Sequence, residues 1–268
     1  MQIINLLVEG SALRATSIIA DVSINTVTKL LVDTGKACQK FHDDKVVGIK
    51  SKRVQCDEIW SFVYAKEKNT PLEAKEKGAG DVWTWVGIDA DTKLVVSWLV
   101  GNRDADSAND FMGDAAKRLI NRVQLTTDGF KPYLEAVTDS FGSQIDFAQL
   151  VKLYGNATGE NKDERKYSPA ECTGAKKNVV SGNPDPEHIS TSYFERQNLT
   201  MRMPMRRFTR LTNALSKKIE NHCHAIALHF VNYNFVKIHK TLRVPPAMEA
   251  GLIKRLMTIE DIVKLTEK

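Results

Sequence analysis

The sequence predicts a mixed α/β (α+β) chain in which a strand-rich centre lies between a helical start and a helical, basic end. Three observations predict it. Runs rich in β-branched and aromatic residues follow one another from Val54 to Val100; helix-like and strand-like segments then alternate to Tyr154; and apolar residues recur at spacings of three or four towards both ends. With 268 residues, 42% of them hydrophobic, the chain can bury one sizeable core or two unequal ones. That composition excludes a disordered tail and a small disulfide-stapled scaffold.

The first forty residues predict three short helices. Ile3, Ile4, Leu6 and Leu7 form the apolar patch of the first, and Gly10 ends it. Ser11 is placed to cap a second helix carrying Leu13, Ile18 and Ile19, and Ser23 a third in which Val27, Leu30 and Leu31 face inward. The tight turn Asp21-Val22-Ser23 between them suggests a helix-turn-helix, whose last segment would offer Asn25, Thr26, Thr28 and Lys29 to a major groove. Residues 1–50 hold six basic and five acidic side chains, so a plain three-helix packing module stands beside that reading. Phe41 to Arg53, charged and glycine-bearing, reads as a linker.

Strands follow at Val54–Tyr64, Val82–Asp89 and Leu94–Val100, joined by a charged loop from Lys66 to Gly80 and a short turn at Asp89-Ala90-Asp91. They make an antiparallel meander. A helix over about Asp106–Asn121, with Phe111, Ala115, Leu119 and Ile120 inward, leads to a strand at Val123–Thr127, a helix opened by Pro132, and a strand at Phe147–Tyr154. Gly155 to Ile189 is polar and reads as one long loop. A helix capped by Thr191 or Ser192 carries Glu195 in its first turn, a longer one runs from Thr209 to Asn234, and a last short one follows Pro245-Pro246.

Three carboxylates stand where structure alone does not call for one. Asp57 lies inside the first strand among Val54, Cys56, Ile59 and Trp60; Asp128 follows a short central strand; Glu195 lies on a helix beyond the long loop. Carboxylates from a strand, a neighbouring strand end and a crossing helix can converge, and hard divalent cations relieve their repulsion. Two such ions suit in-line phosphoryl transfer. Each acid also has a plain reading: Asp57 on a wet strand face with Glu58 inward, Asp128-Gly129 as a turn, Glu195 as a helix-start acid. Alternation along a strand lets only one of Asp57 and Glu58 join a site.

Charge distribution weighs for the phosphoryl reading. The net charge of +5 divides into +9 over residues 196–243 and −4 elsewhere. Arg196, Arg202, Arg206, Arg207 and Arg210, followed by Lys217 and Lys218, gather just beyond Glu195 and suit phosphate binding. Arg202, seven residues after Glu195, shares its helix face. His222, Cys223 and His224 point apart on a helix, so they and His229 read as packing residues; Trp60, Trp83, Trp85 and Trp98 read as packing for the sheet. The four cysteines are scattered singly, as free thiols. No apolar run of membrane-spanning length and no secretory signal is read, which makes the cytoplasm the expected compartment.

The segments CDEIW at Cys56–Trp60, TTDGF at Thr126–Phe130, TSYFERQNLTMRM at Thr191–Met203, RRFTRLTNALSKKIENH at Arg206–His222 and YNFVKIHKTLRVPPAMEAG at Tyr233–Gly251 resemble the transposases of the insertion-sequence-one family. The resemblance is close from Asp57 onward and loose before it. It implies an RNase H-like catalytic core with a DDE triad matched by Asp57, Asp128 and Glu195, which would also hold the metal, and a following basic residue matched by Arg202. The implied cofactor is Mg²⁺, as two ions, with Mn²⁺ able to substitute. The implied partners are the element's terminal inverted repeats and target DNA, bound by a homo-oligomer that is at least a dimer on DNA, with no membrane. Many members carry a Cys-rich, zinc-binding segment ahead of the helix-turn-helix, which is a departure here.

The expected division is a helix-turn-helix domain at residues 1–40, a linker at 41–53, a catalytic core at 54–203 with an insertion at 155–190, and a basic helical region at 204–268. The expected activity is Mg²⁺-dependent cleavage and strand transfer of element ends. An RNase H-like nuclease without strand transfer, and a catalytically inactive DNA-binding derivative, are the alternatives.

Overall fold

The computed structural model describes residues 1–155, 172–209 and 215–267. Its centre is a six-stranded mixed sheet built from β1 (Arg53–Val63), β2 (Gly80–Asp89), β3 (Val95–Gly101), β4 (Val123–Thr127), β5 (Ile145–Tyr154) and β6 (Cys172–Ser181), in the order β3-β2-β1-β4-β5-β6. β1, β2 and β3 pair antiparallel as the expected meander, whereas β1, β4 and β5 run parallel. Parallel neighbours need a crossover, and helices supply them: α5 (Ala105–Arg118), capped by Asp104, and α6 (Pro132–Phe141), opened by Pro132. Before these come α1 (Gln2–Val8), α2 (Leu13–Ile19), α3 (Ile24–Lys45) and a single turn, α4 (Leu72–Lys75).

Apolar side chains leave the sheet on both faces, which is why helices cover both. Val54 and Cys56 of β1 join Trp85, Phe111, Val123, Leu125, Tyr133 and Phe147 on the face under α5 and α6. The opposite face packs Ile59, Val86, Ile88 and Val95 against α3 and α8 (Ile219–Val231). Ile4, Leu31 and Cys38 lie in that same core with Phe230, Val231 and Ile262, so the first three helices are part of the body that holds the sheet. Gly35 permits this closeness, because a Cβ there would stand 2.4 Å from the His224 Cβ.

Several expectations change. The third helix is not short: Val27, Leu31, Thr34, Gly35, Cys38 and His42 form one buried stripe that carries α3 to Lys45, and the expected linker shrinks to residues 46–52. Ser23 caps α3 as expected, accepting from Asn25 N–H, but α2 starts after Ala12, with no side-chain cap from Ser11. The chain bends by 116° between α2 and α3, an angle a helix-turn-helix shares.

Residues 156–171 of the expected long loop lie outside the described residues, and the stretch after them is not all loop, since it forms β6, which pairs antiparallel with β5. Its sequence, CTGAKKNVVS, alternates weakly because an outer strand buries little. The helix expected from Thr209 is also shorter. Arg206–Phe208 form a single 3-10 turn, Ser216 bridges to Val63, Lys218 is extended, and α8 begins only at Ile219 before a π-helical turn at Asn232–Val236. The helix expected after Thr191 is present as α7 (Ser192–Arg202); α9 (Pro246–Glu249) and α10 (Ile259–Leu265) close the chain. No single helix among the described residues is long and apolar enough to cross a membrane.

Candidate active site

β1 and β4 are parallel neighbours with Cys56 opposite Thr127, so the next residue of each, Asp57 and Asp128, come side by side where β4 ends. Asp57 Oδ1 accepts the N–H of Glu58 at 2.8 Å, and Asp128 Oδ1 accepts that of Phe130 at 2.9 Å. Asp128-Gly129 is thus a turn as well as a site element. Both aspartates line a cleft of about 660 Å³ with Arg103, Phe130, Lys131, Lys152, Tyr154 and Thr191.

Glu58 joins them, against the expectation from strand alternation. Ligand oxygens of Asp57, Glu58 and Asp128 lie within 4.8 Å of one another. The reason is the length of the strands. β1 continues to Val63 while β4 stops opposite Cys56, so beyond that point no strand separates the two faces on this side. Arg103, from the loop after β3, closes the gap by donating to Glu58 Oε2 at 3.1 Å and to Asp128 Oδ2 at 3.3 Å. Its guanidinium lies 4.2 Å from the Phe130 ring centre and 5.1 Å from that of Trp83. Glu58 Oε1 is buried, faces the Tyr133 hydroxyl, and has no well-formed hydrogen bond.

The electrostatics follow from this crowding. Burial first, and then the charges of Asp128 and Glu58, push the Asp57 carboxyl up to about 8. Burial and the Asp128 charge push Glu58 up to about 7. A partly buried cluster of hard oxygen donors with an unsatisfied carboxylate atom on Glu58 fits a divalent cation.

Glu195 lies in the first turn of α7 as expected, but outside the ligand cluster. Its Oε1 accepts the Thr191 hydroxyl at 2.8 Å and pairs with the Lys152 ammonium. Partial burial works against the charge of Glu195, and Lys152 with Thr191 outweighs it, holding the carboxyl below its ordinary range. α7 is tied to β1 by the Tyr193 N–H, which donates to Gln55 Oε1 at 2.9 Å. Gln55 sits two residues before Asp57, on the same face of β1.

The expected phosphate-binding residues divide. Arg196, Arg202, Arg206, Lys217 and Lys218 are exposed, and among the described residues none of them forms an ion pair. Arg207 turns inward instead, donating to Ser216 Oγ at 2.8 Å, and burial lowers its guanidinium to about 10. The neighbouring Phe208 is fully buried and draws the turn into the core. Arg210 lies outside the described residues. On α3, Asn25, Thr26 and Lys29 are exposed; Thr28 returns its hydroxyl to the Ile24 carbonyl, and Lys29 pairs with Asp33.

His222 and His229 are packing residues as expected, held neutral by burial that lowers each to about 3. Of the tryptophans, Trp85 is fully buried and Trp98 packs on Phe230. Cys38 and Cys56 are buried free thiols, whereas Cys172 is exposed.

Sequence reasoning admitted Glu58 only as an alternative to Asp57, and missed Arg103, Lys131 and Lys152. Lys152 carried a signal: a charged residue between Val151 and Leu153 in a strand, the same anomaly that drew attention to Asp57. Arg103 carried none, since its partners are 45 and 25 residues away. No family model and no curated protein matches the chain.

Proposed function

We propose that the protein is a DNA transposase resembling the insertion-sequence-one family, with an RNase H-like core and a DDE centre of Asp57, Asp128 and Glu195. The observation that carries this reading is the meeting of Asp57 and Asp128 on adjacent parallel strands, in a cleft walled by Lys131 and Lys152. Asp57, Asp128 and the adjoining Glu58 supply the oxygen donors for Mg²⁺. A divalent cation held there would supply Lewis-acid stabilisation of charge on phosphoryl oxygens and a lowered pKa for an attacking hydroxyl.

The chain's own residues do the rest. Lys131 and Lys152 present ammonium groups to a phosphodiester in the cleft, and Arg103 holds Glu58 and Asp128 in place. The exposed Arg196, Arg202, Arg206, Lys217 and Lys218 bind the DNA backbone beyond it and carry no sequence information themselves. The first two turns of α3, with Asn25, Thr26 and Lys29, are the candidate base reader. Pairing two DNA ends calls for at least a dimer on DNA.

Incubation with labelled element ends, Mg²⁺ and a plasmid target tests the reading. Joined products that vanish in Asp57→Asn, Asp128→Asn and Glu195→Gln are expected. Cleavage without joining would make the protein a nuclease, and full activity in any one variant would remove that residue from the centre.

A further inference from the structure

Lys152 and Glu195 meet at the cleft in an arrangement that neither secondary structure nor core packing requires. Lys152 lies on β5 and lines the cleft with Asp57 and Asp128. Its ammonium pairs with Glu195, and it lines the same cleft as Asp57, so one cation on β5 shares the cleft with carboxylates from two other elements. The frame around this pair is fixed. Gln55, buried on β1, holds the first turn of α7 through Tyr193 N–H, and Thr191 at the head of α7 holds Glu195 itself.

The two side chains are less constrained than their frame. Lys152 is 32% exposed and Glu195 47% exposed, and both are long, so they can exchange partners by rotamer changes alone. A partly exposed ion pair of this kind is weak enough for a divalent cation to compete with it. Asp57 and Asp128 provide the reason to compete, since their carboxylates are already together and repel each other across the cleft from α7.

We propose that Lys152 is a positioning residue that serves as counter-ion to Glu195 in the cation-free protein, holding this carboxylate at the cleft wall and releasing it when a divalent cation binds at Asp57 and Asp128. The inference rests on the cation-centre reading above. Its consequence is a reciprocal coupling: a phosphate group that draws Lys152 away frees Glu195, and so strengthens cation binding.

Calorimetric titration of the full chain with Mg²⁺, and separately with Mn²⁺, tests this without any DNA reaction. Lys152→Met removes the ammonium while keeping its length and should fold, because the residue is partly exposed at the cleft. It should bind the cation roughly two- to fivefold more tightly than wild type. Glu195→Gln should change affinity little in wild type but abolish the gain in the Lys152→Met background, a non-additivity that a merely structural lysine would not produce. Lys152→Arg, which keeps a cation, should stay near wild type. Equal binding by wild type and Lys152→Met, or a gain that survives Glu195→Gln, overturns the role of Lys152 and leaves the cation centre standing. No binding by either protein overturns the cation centre, and this inference with it.

Discussion

Replacing Asp57 by Asn should inactivate the centre and at the same time stabilise the cation-free protein. The substitution keeps an oxygen for the Glu58 N–H and the shape of the side chain, but removes the charge. In the folded protein the Asp57 carboxyl titrates at about 8, against an ordinary value of 3.8. A carboxyl raised on folding contributes stability that is fully present below the ordinary value and is lost as pH rises through the folded one. At pH 7 the gap from 3.8 is about three pH units, and at 1.36 kcal/mol per unit wild type forgoes about 4 kcal/mol relative to strongly acid solution. Asn has nothing to lose by this route. Urea unfolding in EDTA should therefore show little difference between the proteins near pH 4 and an advantage for Asp57→Asn that grows to several kcal/mol by pH 7. Mg²⁺ at a hundred times its dissociation constant should restore about 2.7 kcal/mol to wild type and nothing comparable to the variant. A stability difference that is flat from pH 4 to pH 8, or equal stabilisation of both proteins by Mg²⁺, would refute the electrostatic reasoning.

Arg206→Ala combined with Lys217→Ala and Lys218→Ala should weaken DNA binding across sequences and flatten its salt dependence by about one unit of slope for each phosphate no longer neutralised, measured by anisotropy over a salt series. Arg207→Ala should instead lower stability by about 1–3 kcal/mol, since it leaves Ser216 and the Asn221 carbonyl without their donor, and a thermal melt distinguishes the two. Gln55→Leu removes the buried acceptor of the Tyr193 N–H; hydrogen exchange in the first turn of α7 should rise while that of β1 is unchanged. Gly35→Ala forces α3 away from His224 and should cost about 1–3 kcal/mol, readable as a lower denaturation midpoint.

Much of this molecule was legible in its residues, because the patterns concerned are local. The β-branched runs over Val54–Val100 became β1, β2 and β3 in the expected antiparallel order, and Val123–Thr127 became β4 with the expected bounds. Pro132 opened α6, Ser23 capped α3 and Glu195 fell in the first turn of α7, as their intrinsic preferences require. Errors came where a local pattern ended without a signal. A buried stripe carried α3 past Phe41, and pairing with β5 made a strand of Cys172–Ser181 although that segment is polar and exposed.

The anomaly of Asp57 and Asp128, acids at the centre and the end of apolar strands, was visible from composition around each residue alone. Which charges keep them company was decided by the tertiary structure. β4 stops just short of Asp128 while β1 runs on, so Glu58 reaches the pair from the other face. Arg103 and Lys152 arrive from a distant loop and strand, and Lys152 rather than a neighbouring acid takes Glu195. Periodicity acts over a few residues and is written in the chain. Convergence depends on where strands end and how helices cross them, which only the packed sheet determines.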